Sequence, residues 1–140
     1  MKRLLSAVFA CMLVFSSVSV ASASYEITPF ASSYFDSYTI TASSPSAGKV
    51  KFVFHVTAVG KADELGLSAF SIEKKNSDGT YSTVYTDTVD HTKSSVSAYT
   101  YAYTYTGSSG SAYRAVATFY CKKGSGSATT VIKSGTKTAS

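Results

Sequence analysis

Apolar residues recur at every second position along Lys49–Val59, and this alternation restricts the possible folds more than any other feature of the chain. An extended strand turns successive side chains to opposite faces. The apolar side chains of this segment therefore share one face; they are Val50, Phe52, Phe54, Val56 and Ala58. The other face is largely polar, with Lys49, Lys51, His55 and Thr57. The pattern predicts a strand with one buried face.

Six further segments have the composition or the alternation of strands. They are Tyr34–Ala42, Leu67–Lys75, Tyr81–Thr88, Val96–Thr106, the part of Gly107–Tyr120 that begins at Tyr113, and Ala128–Lys133. The stretches between them are rich in turn residues or polar residues, and no helical period of 3.6 is evident. We therefore predict an all-β protein, an antiparallel seven-stranded sandwich of the immunoglobulin or fibronectin type III kind. A small closed barrel is the alternative.

A glycine- and serine-rich turn leads into the sixth predicted strand and delivers Tyr113 at its start. Immunoglobulin-like domains carry a tyrosine at this corner, where the phenol bonds an upstream backbone group and stabilises the turn. We expect Tyr113 to do the same. The following strand then places Tyr113, Ala115, Ala117 and Phe119 on one face.

The amino terminus has the organisation of a secretory signal peptide. Lys2 and Arg3 precede an apolar run, and Ala21-Ser22-Ala23 has the small-x-small pattern of a cleavage site. Cleavage after residue 23 predicts a secreted protein, at the cell surface or in the medium, with no membrane segment in its mature form. The alternatives are a membrane anchor and lipid attachment at Cys11.

After the signal peptide, residues 24–33 are expected to form a linker or a loose first strand. Residues 34–134 form the predicted sandwich domain, and residues 135–140 form a frayed tail. Cys121 is the only cysteine left after cleavage, so an internal disulfide is excluded. We expect Cys121 to be a buried small hydrophobe, and an intermolecular disulfide is the alternative.

Charge says little about a partner. Once Lys2 and Arg3 are removed, the basic residues exceed the acidic ones by only three, and no basic run is longer than a pair. This pattern gives no support for nucleic-acid binding. A slight positive excess favours an anionic cell surface or wall polymer, so the predicted partners are a cell-wall or host glycan or a surface protein.

Catalytic and cofactor motifs are poorly represented. His55 and His91 are the only histidines, and Asp90-His91 are adjacent, which in an extended segment sends their side chains apart. A calcium site at Asp63 and Glu64 is conceivable, but no twelve-residue calcium loop is present. Phosphate-loop and dinucleotide motifs are absent. We predict no catalytic residues, no metal and no cofactor; a small secreted hydrolase using either histidine is the alternative.

A row of tyrosines is the strongest candidate for a ligand-binding surface. Tyr99, Tyr101, Tyr103 and Tyr105 are two residues apart, so a strand puts all four rings on one side. Outward rings would form an aromatic strip for glycans or a protein partner. Inward rings would belong to the core, and this orientation is favoured because exposed aromatic surface promotes association.

Several short motifs resemble those of a family of small, uncharacterised secreted proteins of Gram-positive bacteria. They are Leu65-Gly66, Asp78-Gly79, Tyr113-Arg114-Ala115, Phe119-Tyr120 and Gly124-Ser125-Gly126-Ser127. The resemblance spans residues 32–133, and the chain departs from it at Cys121 and Lys123. It implies an immunoglobulin-like β-sandwich and an exported location, and it implies no functional residues. The sequence thus favours a non-catalytic secreted protein with a binding or structural role.

Overall fold

A computed structural model describes residues 33–140 of the chain. The predicted signal peptide, Cys11 and nearly all of the predicted linker lie outside the described residues. The described part contains seven strands. They are β1 (Phe35–Ser43), β2 (Lys49–Lys75), β3 (Tyr81–Asp87), β4 (His91–Thr106), β5 (Ala112–Lys123), β6 (Gly126–Lys133) and β7 (Lys137–Thr138).

Strand β2, with 27 residues, is the central strand of the sheet, because β1, β3, β4 and β5 all pair with it. Its first half pairs antiparallel with β1 on one edge and with residues 98–106 of β4 on the other. Its second half pairs with β5 on one edge, and with β3 and the start of β4 on the other. Strand β6 pairs with β5. Strand β7 also pairs with β5, and all of these pairings are antiparallel.

The sheet curls into a half-barrel because β2 bends in its middle. Gly60 has a φ of +72°, and the register between β2 and β4 shifts between Thr57 and Ala62. Bulges and glycines of this kind increase the local twist and bend a strand. The all-β, antiparallel part of the predicted fold class is confirmed. The seven described strands belong to one hydrogen-bonded sheet.

The core follows the predicted alternation. All five apolar residues predicted to share a face of the first half of β2 are buried, and so are Tyr113, Ala115, Ala117 and Phe119 of β5. Phe70 and Ile72, predicted to share a face in the second half of β2, are also buried. The two halves of the curled sheet thus supply one continuous apolar interior.

Two segments predicted as connections are strand instead. Residues 60–66 continue β2, with Ala62 and Leu65 buried, and residues 91–95 are the beginning of β4. These two segments pair with each other: Glu64 stands opposite Ser94, and Leu65 opposite Lys93. The predictions were wrong because each segment is polar in isolation and becomes extended through pairing with a distant one.

Cys121 is fully buried on β5 and is free. Its thiol lies 3.6 Å from the carbonyl oxygen of Tyr34. Burial raises the pKa of the thiol, so the reactive thiolate is disfavoured. The interpretation of Cys121 as a small core residue is confirmed.

The carboxyl-terminal residues are held in place, contrary to the predicted frayed tail. Strand β7 pairs with Ala112 and Tyr113 of β5, and Ala139 is buried. The backbone oxygen of Ser140 accepts hydrogen bonds from the amide of Gly48 and the hydroxyl of Ser109. This segment therefore links the β1–β2 turn to the β4–β5 turn.

No helix in residues 33–140 is long and apolar enough to cross a membrane.

Candidate functional site

The predicted ligand-binding row, Tyr99, Tyr101, Tyr103 and Tyr105, lies on the core-facing side of β4. The four tyrosines stand opposite Val56, Phe54, Phe52 and Val50 of β2, which are all buried. Each tyrosine is half-buried and packs against the core. The alternate residues of the strand, such as Ala102 and Thr104, are exposed on the other face. The inward orientation favoured by the sequence is confirmed.

Most rings of this row stack against other rings of the protein. Tyr103 stacks on Tyr85 of β3 with ring centroids 4.8 Å apart and an interplanar angle of 14°. Tyr101 stacks on His91 at 4.2 Å, and Tyr105 packs against Tyr113 at 5.2 Å. These contacts join the row to β3, to the beginning of β4 and to β5. Ring faces used in this way are not free to stack on a ligand.

The phenols of the row are harder to ionise than free tyrosine. Burial, and then a hydrogen bond with Tyr85, raises the pKa of Tyr103 to about 12. Burial also raises the pKa of Tyr99 and of Tyr101. All three phenols therefore stay neutral across the physiological pH range.

His91 has an acidic partner, but it is not the neighbouring Asp90. Its Nε2 lies 3.0 Å from Oδ2 of Asp87, across the turn between β3 and β4. This hydrogen bond lowers the pKa of the Asp87 carboxyl. Nucleophilic catalysis needs a hydroxyl or thiol against the base. Within residues 33–140, His91 makes no hydrogen bond to either group.

His55 lies on the opposite, outer face of the sheet. Its Nδ1 is 2.7 Å from the hydroxyl of Thr100 on β4. No carboxylate of the described part bonds its second ring nitrogen. His91 thus has a carboxylate partner but no hydroxyl, and His55 has a hydroxyl partner but no carboxylate. Neither histidine completes the set of three groups that activates a hydroxyl nucleophile.

A cleft of about 270 Å³ opens on the sheet and is lined by oxygen-bearing side chains. Glu64 and Ser68 come from β2, Thr92 from β4 and Tyr120 from β5, and Asp90 comes from the turn before β4. Three of these residues carry hydroxyls and two carry carboxylates. Lys122, whose Nζ is 3.9 Å from Glu64 Oε1, lies at its side.

Gly66 of β2 lies in the same row of the sheet as two residues of the cleft. It pairs with Thr92 on one side and Tyr120 on the other, so the middle position of this row carries no side chain. A Cβ at Gly66 would lie 2.0 Å from the carbonyl oxygen of His91. The close approach of β4 therefore requires glycine at this position.

Asp63 and Glu64, considered for calcium, have separate roles. Oδ2 of Asp63 accepts a hydrogen bond from the amide of Gly124 in the β5–β6 turn at 2.5 Å, whereas Glu64 lines the cleft. The described residues contain no group of three or more His, Cys, Asp or Glu side chains placed to hold a metal ion.

The sequence interpretation missed the cleft, whose residues come from three strands and a turn. One local signal was present. Gly66 directly precedes the predicted strand Leu67–Lys75, and a glycine that lies inside a strand marks a bulge or a close backbone approach. Neither Thr92 nor Tyr120 has a sequence motif of its own, since their association depends on the register of β4 and β5 against β2.

Comparison of the chain with protein-family models, with curated proteins and with solved structures finds no match.

Proposed function

We propose that the protein is an exported, non-catalytic binding module that acts at the bacterial surface or in the medium, and that it binds a glycan in the cleft lined by Glu64 and Tyr120. The cleft carries the proposal. Five residues with oxygen-bearing side chains line one concave volume, and one of them, Tyr120, also supplies a half-buried aromatic ring.

The chemistry of the lining matches a sugar ring. Glu64 and Asp90 carboxylates accept hydrogen bonds from hydroxyl groups, while the hydroxyls of Ser68 and Thr92 both donate and accept. Tyr120 adds an apolar ring surface for the C–H groups of a sugar and a phenol at its edge. The volume is slightly below the lower end, about 300 Å³, of typical small-molecule pockets. It suits one sugar unit and is large for a bare ion.

The hydrolase alternative has less support. A histidine-assisted hydrolase would need His91 or His55 bonded to both a carboxylate and a nucleophile. His91 bonds only a carboxylate, and His55 bonds only a hydroxyl. Neither histidine lines the cleft. These observations favour binding without catalysis.

The tyrosine row is the second candidate surface for a glycan or a surface protein. Tyr99 favours it, because the described part of the chain contains no ring that stacks on Tyr99. The other three rings offer a ligand mainly their edges and hydroxyls. An extended partner lying along the tyrosine row would contact those edges.

A relationship to immunoglobulin or fibronectin type III sandwiches is also part of the proposal. The hydrogen bond from the Ser108 amide to the Tyr113 phenol supports it, since such corners recur in those domains. Many domains of that kind act in recognition outside the cell, which agrees with an exported binding module.

Retention of the purified protein on insoluble bacterial cell wall and on immobilised host glycans tests the proposal. At low salt we expect retention, and we expect Asp90→Asn to reduce it about tenfold, because a hydrogen bond to a charged group contributes roughly 1.5 kcal/mol. Tyr120→Ala should also reduce it, because the ring surface offered to the sugar is removed. Asp36→Asn removes the same charge from an exposed position on β1 and should bind normally. Absence of retention on every glycan, or equal loss in all three variants, would contradict glycan binding in the cleft.

A further inference from the structure

The segment Tyr99–Tyr105 reads the same in both chain directions: Tyr-Thr-Tyr-Ala-Tyr-Thr-Tyr, with Ala102 at its centre. Two antiparallel copies of such a strand, aligned with Ala102 opposite Ala102, place a like residue opposite every residue. A two-fold axis through a strand pair places residue i opposite residue j and residue j opposite residue i. About an axis at Ala102, this segment therefore pairs tyrosine with tyrosine and threonine with threonine.

The segment lies on an open edge of the sheet. Residues 98–106 of β4 pair with residues 49–57 of β2, and no other strand of the described part pairs with them. A strand with one partner presents a row of unpaired N–H and C=O groups on its other side. The register with β2 is unbroken over these residues, so the edge is regular for about 30 Å.

This edge has none of the devices that usually prevent pairing between molecules. Residues 96–107 include no charged residue and no proline. Natural edge strands are normally protected by lysine, proline, a bulge or short length. The other edges of the described sheet carry charge. Strand β1 contains Asp36, β3 ends at Asp87, β6 ends at Lys133 and β7 begins at Lys137. The β4 edge is therefore the unprotected one.

We propose that a second copy of this chain pairs with the β4 edge, antiparallel and about a two-fold axis at Ala102. In this register Tyr99 of one copy stands opposite Tyr105 of the other, and Tyr101 opposite Tyr103. Aromatic pairs and threonine pairs are favourable cross-strand neighbours. The rows of four tyrosines join into one band, which covers ring surface that each half-buried row leaves exposed. The dimer edge shares no residue with the cleft.

Sedimentation velocity over a range of protein concentrations tests the dimer. The unchanged chain is expected to sediment as a dimer, and Ala102→Lys as a monomer, because two lysines would meet at the two-fold axis. The matched control is Thr41→Lys on β1. Thr41 is exposed, and it lies in the same row of the sheet as Ala102, with Val53 between them. We expect this variant to remain dimeric. A monomeric unchanged chain at every concentration, or an unaffected Ala102→Lys dimer, would overturn the proposal.

Oxidative cross-linking supplies a second measurement that does not depend on how Ala102→Lys folds. Directly opposed residues of antiparallel strands have Cα atoms about 4.5–5.5 Å apart, within the range of a disulfide. Ala102→Cys should therefore give a covalent dimer on mild oxidation. Ala98→Cys, on the same face but away from the axis, should not, and the unchanged chain controls for Cys11 and Cys121. Equal cross-linking of the two variants, or none in Ala102→Cys, would contradict the register.

Discussion

The backbone amide of Ser108 donates a hydrogen bond to the phenolic oxygen of Tyr113 across 2.9 Å. The ring is buried, and a Cβ at Gly107 would lie 2.3 Å from its oxygen. Tyr113 also pairs through its backbone with Lys137 of β7. The predicted corner is thus confirmed, and it joins the β4–β5 turn, the core and the carboxyl-terminal segment.

Replacing Tyr113 by phenylalanine should lower the free energy of unfolding by about 1 kcal/mol, because one hydrogen bond is lost and the packing is kept. Chemical denaturation measures this change. Tyr99→Phe is the control, since no hydrogen bond of the described structure involves the Tyr99 hydroxyl. An unfolding midpoint that Tyr113→Phe leaves unchanged would refute a stabilising role for this bond.

Gly66→Ala should destabilise the protein by about 2 kcal/mol or more, because the new Cβ collides with backbone of β4 and the strand must shift. Gly110→Ala is the comparison. Gly110 has a φ of +82° and open space around its Cβ position, so alanine there incurs only backbone strain of about 1 kcal/mol. Equal losses of unfolding free energy would show that the approach of His91 to Gly66 is not restrictive.

The sequence predicts those parts of this fold in which burial alternates along a single segment. Val50 to Ala58 and Tyr113 to Phe119 each carry their own pattern, and both faces are as predicted. Residues 60–66, 91–95 and 137–140 have no such pattern, and partners far away in the chain make them extended. The cleft could not be predicted for the same reason. Thr92 and Tyr120 line the same cleft only because the registers of β4 and β5 place both opposite Gly66.

The Asp87–His91 pair gives stability a defined dependence on acidity. The folded pKa of Asp87 is lowered, so its contribution is fully present above the unfolded value of about 3.9 and is lost as the pH falls through the folded value. Asp87→Asn should therefore be less stable than the unchanged chain near neutral pH, with the difference shrinking below about pH 4. Denaturation midpoints at a series of pH values measure this. A constant difference across the series would contradict it.

Alkaline titration probes the tyrosine row in the opposite pH direction. Burial raises the pKa of Tyr103 to about 12, above the unfolded value of about 10, so its neutral form contributes stability that is lost as the pH rises through the folded value. Ultraviolet absorbance of tyrosinate should show a component ionising near pH 12 that Tyr103→Phe removes. A titration curve that keeps this component in Tyr103→Phe would assign it to another phenol.

Glycan binding in the cleft is tested most directly by mapping backbone amide NMR shifts while a soluble wall-glycan fragment is added. We predict shifts concentrated at the cleft residues, Glu64, Ser68, Asp90, Thr92 and Tyr120, that saturate with ligand and that need about tenfold more ligand to saturate in Asp90→Asn. Shifts centred on the tyrosine row would instead identify that row as the binding surface. No saturable shift with any wall or host glycan fragment would contradict glycan binding by this protein.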